Sequence, residues 1–279
     1  MAELLLELYS EEIPPQLQIG ARNQLEQFFK KSFEEESIKY KEMSIYSSPT
    51  RLTVAVKDLA TKIQIDSKEI KGPKVGSPDQ ILQGFMKAKN VTQNNLIEKE
   101  TEKGNFYFIK TEPKNILVEE LLKSILPKAL SSLSWKKSMK WSDHNLMWGR
   151  PLRSILTLFN GKKINFKFDH LNSSDEIIIE QNLSLKSKKV KNFKEYDDLL
   201  KSNNIILDHN EREKIILKKF SAISKKKNYK ENYNSRLLEE VVNIVEDPNI
   251  LLVDFDKSYL KIPQEIIIST LEKHQRYFP

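Results

Sequence analysis

The chain has 279 residues, enough for one large domain or two ordinary ones with a proper core, and no cysteine, which excludes disulfides, thiolate metal sites and cysteine nucleophiles. No run approaches the ~20 apolar residues of a membrane helix, and MAELLLELYSEE lacks the basic leader of a signal peptide, so a cytoplasmic location is expected. The net charge of +7 is uneven: residues 1–36 hold eight acidic and three basic side chains, which leaves +12 for the remainder. That division suits a basic surface that meets phosphate. A composition rich in Lys, Asn and Ile with few glycines also suits an A/T-rich genome that places Lys across neutral surfaces.

AELLLELYS (2–10) reads as a buried strand. Pro14 and Pro15 follow, tolerated in the first turn of a helix whose apolar side is Leu17, Ala21, Leu25, Phe28 and Phe33. Glu11 and Glu12 are expected at or just before the positive end of that helix, where carboxylates are favoured; acid–base chemistry is the alternative. MSIYSS (43–48) and LTVAVKDL (52–59) read as strands joined by Pro49-Thr50-Arg51. Ser77-Pro78-Asp79-Gln80 predicts a helix start with Ser77 as cap, and Ile81, Leu82, Phe85 and Ala88 on the helix that follows. Residues 96–112 predict a hairpin turning at Lys103-Gly104-Asn105. A helix is expected over 116–133, with Leu117, Leu121, Ile125 and Ala129 on one face. Strands are expected around Gly161, within 153–171. Helices are expected over 193–203, 210–227, 235–246 and 263–274, the last packed and starting with Pro263 at its first position. ILLVDF (250–255) reads as a buried strand between the last two. The irregular alternation predicts an α+β fold with mixed sheets and packed helices in two lobes, 1–185 and 186–279. The lysine cluster KSKKVKNFK (186–194) lies at the seam.

The scattered glycines form no phosphate-cradling loop; KGPKVG (71–76) matches neither nucleotide-binding pattern. The four histidines, His144, His170, His209 and His274, show no metal-ligating spacing, and no metal is expected. There is no Gly-x-Ser-x-Gly elbow, and no catalytic residue is expected in the chain. The segment WKKSMKWSDHNLMWGRPLRS (135–154) holds all three tryptophans, interleaved with Lys136, Lys137, Lys140, Arg150 and Arg153. Aromatics that stack on bases and cations that hold phosphates suit RNA. Tryptophans capping a core with lysines on its rim fit as well.

Six stretches in this order resemble one family. They are Glu11-Glu12-Ile13-Pro14-Pro15, Ser48-Pro49-Thr50-Arg51-Leu52, Lys71-Gly72-Pro73, Met139-Lys140-Trp141 with Trp148-Gly149-Arg150-Pro151, Leu237-Leu238-Glu239-Glu240-Val241, and His274-Gln275-Arg276-Tyr277-Phe278-Pro279. Over essentially its whole length the chain resembles the N-terminal part of the beta subunit of bacterial glycyl-tRNA synthetase. The resemblance implies a partnership of two alpha and two beta subunits that attaches glycine to tRNA(Gly). ATP and Mg would be used at the alpha subunit, with none bound by this chain. It further implies likeness to the editing-domain fold of the phenylalanyl-tRNA synthetase beta subunit. In the family the last motif is internal, followed by an HD-type helical region and an anticodon-binding domain, so Pro279 is expected to be a truncation. Where the family has Gly-His-Arg-Phe, this chain has Glu180-Gln181-Asn182-Leu183. Lys140, Trp141, Arg150 and Arg153 are the candidate contacts to tRNA or a subunit, with His274 and Arg276 of the last motif beside them. A free-standing hydrolase of mischarged tRNA and a non-enzymatic RNA-binding module are the alternative readings.

Overall fold

The first apolar run is a strand, β1 (Ala2–Ser10), in the computed structural model, which describes residues 2–65, 67–111, 113–181 and 184–279. Helix α1 (Pro15–Glu35) and the hairpin of β2 (Glu42–Ser48) and β3 (Arg51–Leu59) follow. Next come β4 (Lys62–Ile65), β5 (Glu69–Lys74), α2 (Asp79–Lys89), β6 (Leu96–Thr101), β7 (Gly104–Lys110) and β8 (Lys114–Leu117). Helix α3 (Val118–Ser132) leads to β9 (Leu152–Phe159), β10 (Lys162–Lys163), β11 (Lys167–Phe168) and β12 (Leu171–Ser174). The antiparallel pair β13 (Glu176–Gln181) and β14 (Ser184–Lys189) precedes α4 (Phe193–Lys201), α5 (His209–Lys227), α6 (Ser235–Ile244) and α7 (Gln264–Thr270). The class is α+β with mixed sheets, as expected. No helix among the described residues is long and apolar enough to cross a membrane.

Two compact units result: Met1–Thr61 with Leu121–Pro279, and Lys62–Glu120. In the first, the main sheet has the order β11-β12-β9-β1-β3-β2, with β10 on β9. Its pairs are antiparallel except β12 with β9. Strand alternation sends Leu5, Glu7 and Tyr9 to one face of β1 and Leu4, Leu6 and Leu8 to the other. All six are buried, so the central strand is covered on both faces. One core joins Leu5, Leu156 and Leu158 to Ile177 and Ile179 of β13 and to Tyr196 and Leu200 of α4. Residues on both sides of position 185 therefore share a core. Helix α1 packs on β2, β3 and α6, and α5 packs on α6 and β2. In the second unit, β5-β7-β6 form one sheet and β4-β8 another. Gly72 is required there: a Cβ would come within 2.7 Å of the Phe85 ring.

Several expectations need correction, each because packing overrode a local signal. On α1 the buried phenylalanines are Phe33, as expected, and Phe29, whereas half-buried Phe28 touches Phe29 edge-on from the margin. Helix α2 starts after Pro78, Ser77 does not cap it, and Ile81 and Ala88 are exposed. Leu117 belongs to β8, paired with Lys62; Val118, Leu122, Ile125, Leu126 and Ala129 form the buried side of α3, and Leu121 is only half-buried. The hairpin turn is Glu102-Lys103, with Gly104 (φ +104°) opening β7. Lysines 186, 188 and 189 lie within β14, each paired with a residue of β13.

The run 250–255 is not a strand. Leu251 is 74% exposed, and Leu252, Val253 and Phe255 are exposed too. Apolar composition alone forms no strand where no sheet edge offers hydrogen bonds. The last helix is α7 followed by one π-helical turn, Leu271–Gln275, with Pro263 as N-cap and no buried residue. Phe278 packs edge-on against Phe220 and Tyr233, while Tyr277 is 46% exposed. Of the stretch that departs from the family pattern, Asn182 and Leu183 lie outside the described residues; Glu180 ends exposed on β13.

Candidate functional site

Where β1 ends, the chain turns sharply through Glu11-Glu12-Ile13-Pro14 into α1. Three backbone hydrogen bonds hold the turn: Ser10 N–H to Thr50 O (2.9 Å), Glu11 N–H to Pro151 O (2.9 Å) and Ile13 N–H to Pro49 O (2.6 Å). Three motifs far apart in sequence thus share one place. They border a cleft of about 530 Å³ lined by Tyr9, Glu11, Glu12, Thr50, Arg150, Arg153 and Glu180, with Asn243 of α6 at its side. The Glu246 carboxylate accepts from Ser48 Oγ (2.7 Å) and Thr50 Oγ1 (3.2 Å), which fixes the β2–β3 turn.

Glu11 and Glu12 lie just before α1, whose first turn itself holds no acidic residue, and Glu11 pairs with Arg153. Both side chains are about half exposed. Such a pair contributes little stability, about 0–1 kcal/mol, so a phosphate can replace the carboxylate at modest cost. Half-buried Arg150 donates to Gly149 O (2.9 Å), which aims its guanidinium along the same wall. The cleft therefore offers guanidinium donors to a phosphate, with carboxylates beside them that can accept from hydroxyl or amino groups.

The tryptophan-rich segment divides between two roles. Met139 and Trp148 exchange backbone hydrogen bonds (2.8 and 3.2 Å), closing a loop. Trp148 is 2% exposed, with Trp135 at 5.2 Å and Phe168 at 5.8 Å between ring centroids. Gly149 is required beside them: a Cβ would sit 2.5 Å from the Trp135 ring. Trp148 is thus a core member, with half-buried Trp135 packed against it. Lys136, Lys137 and Lys140 stay exposed, Lys140 Nζ lying 3.4 Å from Asn145 Oδ1. Trp141 is half-buried and presents its edge to His144 and His170, 6.4 and 5.8 Å away. These two histidines, which spacing left apart, meet beside Asp169. The hydrogen bond with His170 holds the Asp169 carboxyl below its usual range.

His274 is exposed near the end of the chain. Arg276 Nε bonds Glu240 Oε1 at 2.9 Å, so the last motif meets the Leu237–Val241 motif rather than the cleft.

A second cleft of about 540 Å³ is lined by Arg22, His209, Glu213, Arg236 and Glu239. Burial, with Arg22 and Arg212 nearby, pushes His209 down from 6.5 to about 4. Between those values the folded state binds fewer protons than the unfolded chain, so its stability rises with pH. His209 should therefore contribute stability above pH 6.5 that is lost progressively as pH falls to about 4. Urea denaturation across that range should show a shallower decline in His209→Gln than in the parent; parallel declines would remove His209 from the account.

Sequence reasoning assigned no role to the buried charges Glu7, Arg51 and Arg212. The first two were legible only as a charge inside an apolar strand and an arginine at a strand start.

The family model described as glycyl-tRNA synthetase beta subunit matches residues 4–279. Among relatives, proteins named glycine–tRNA ligase beta subunit are 34% identical in Rickettsia akari (strain Hartford) and 35% identical in Rickettsia canadensis (strain McKiel). A third, from Rickettsia prowazekii (strain Madrid E), is 33% identical. Each match covers 100% of this chain and 42% of the relative, so the chain spans less than half the relatives' length.

Proposed function

Because this chain belongs to the glycyl-tRNA synthetase beta subunit family, we propose that it supports the ATP-dependent attachment of glycine to tRNA(Gly) through tRNA binding and subunit assembly. In this reading the aminoacylation site, with its ATP and Mg, resides in a separate alpha subunit, two alpha subunits join two beta subunits, and the complex works in the cytoplasm. The likeness of the chain to the editing-domain fold belongs to the same proposal and rests on the motif resemblance. The observation that carries the reading is the cleft: three of the six motifs converge on it, and Arg150 and Arg153 stand on its wall.

The test is tRNA(Gly) binding across a salt series, with and without the alpha subunit. Replacing Lys140, Arg150 and Arg153 with alanine should weaken binding and make the plot of log affinity against log salt shallower. The change should be about 0.7–0.9 per lost phosphate contact. An unchanged slope alongside a lowered melting temperature would mean that these side chains serve the fold, and this reading of the cleft would fail.

A further inference from the structure

The loop closed by the Met139–Trp148 bridge and the turn between β11 and β12 are joined by the Trp148–Phe168 contact. This brings His144 to Asp169 and His170. The two imidazoles stack in parallel, with centroids 3.6 Å apart and planes 2° apart. His170 Nδ1 and Asp169 Oδ1 lie 3.0 Å apart. One ligand atom from each of the three residues falls within 4.8 Å of the other two. Both rings are half-buried, and Asp169 is exposed. Asp169 holds the left-handed backbone conformation (φ +51°) that turns its side chain back toward the ring of the next residue.

We propose that His144, Asp169 and His170 form a binding site for a divalent transition metal of the zinc class. Two imidazole nitrogens and one carboxylate oxygen are the donor set that Zn2+, Co2+ and Ni2+ prefer, whereas Mg2+ and Ca2+ prefer oxygen alone. Metal–donor distances of about 2.0–2.2 Å require the three atoms to draw closer together. Rotation of one ring out of the stack accomplishes this, since the lone pairs of parallel rings run side by side instead of converging. Three protein ligands leave a further position for water. The exposed side of Asp169 supplies the entry path. A bound ion would tie the tryptophan-rich loop to the β11–β12 turn and fix Trp141, which already meets both rings in T-shaped contacts. The site stands independently of the reading of the cleft, because none of its residues lines that cleft.

Titration of the protein with Co2+ alone tests the assignment. One Co2+ per chain should bind with visible d–d absorption, be displaced by Zn2+, and quench a part of the tryptophan fluorescence that Trp141→Phe removes. His144→Ala and His170→Ala should each weaken binding about tenfold or more. Asp169→Asn should weaken it as well, and serves if either histidine variant misfolds. Binding that survives the double histidine variant in a folded protein would overturn the proposal, as would stoichiometric Co2+ that leaves Trp141 emission unchanged. Failure to bind one equivalent would also overturn it.

Discussion

Glu7→Leu should lower the folding stability by about 3–5 kcal/mol, because it leaves the Arg51 guanidinium buried and uncompensated. Glu7 and Arg51 are 1% and 2% exposed, with Arg51 Nε 3.2 Å from Glu7 Oε2. The register of β1 and β3 sets this up: Glu7 lies opposite Thr53 and Tyr9 opposite Arg51, so the two charges are diagonal neighbours. Tyr196 of α4 donates to Glu7 (2.5 Å) and lies 3.0 Å from Thr53 Oγ1, closing the network from above the sheet. Arg51 further bonds Thr50 Oγ1 (2.8 Å) and the Ile178 carbonyl, and covers the Tyr9 ring. Burial pushes the Glu7 carboxyl up, and Arg51 and Tyr196 pull it back. The double variant Glu7→Leu, Arg51→Met should regain most of the loss, since two apolar side chains replace two desolvated charges. Urea denaturation of the parent and these two variants measures this. A single-variant loss below about 1 kcal/mol would mean that the arginine escapes to solvent.

Arg212→Leu should cost about 3–5 kcal/mol as well, for a different reason: it removes donors from several buried carbonyls at once. The side chain is fully buried in α5, and its hydrogen bonds go to backbone carbonyls. Its Nε donates to Val242 O (2.9 Å), Nη1 to Ile206 O (2.6 Å) and Leu207 O (2.9 Å), and Nη2 to Ser47 O (2.9 Å). One guanidinium thereby ties the end of α6, the segment before α5 and strand β2 together. Burial pushes Arg212 down to about 10, still charged at neutral pH, so its charge is retained for the carbonyl dipoles. Arg212→Lys should recover only part of the loss, because an ammonium cannot reproduce the planar fork. Denaturation curves in which the lysine variant equals the parent would show that charge alone suffices.

The cleft was half legible. Its three motifs stand in the sequence, and resemblance singles them out, yet nothing local says that Glu11 faces Arg153 or that Ile13 bonds Pro49. Arg212 was not legible at all. It sits in HNEREK, a stretch that reads as a solvated helix face, and only the folding of α6 and β2 around it removes it from water. His144 and His170 were each read as isolated, and separation along the chain gave no hint of a stacked pair.

Local physics was sufficient for β1, for α1 behind its two prolines, for the hairpin of β2 and β3, and for α5 and α6. Alternation, helical spacing and proline geometry act between residues a few positions apart, so these elements could be read from local order alone. Which phenylalanines of α1 are buried, that residues 250–255 stay exposed instead of joining a sheet, and that residues beyond 186 pack on β13 and the first sheet all depended on long-range packing. A strand exists only with a partner edge, and a buried charge persists only where distant donors and acceptors converge. Both conditions depend on residues far along the chain, which is why Glu7 with Arg51 and His144 with His170 became visible only once the sheet and its loops had closed around them.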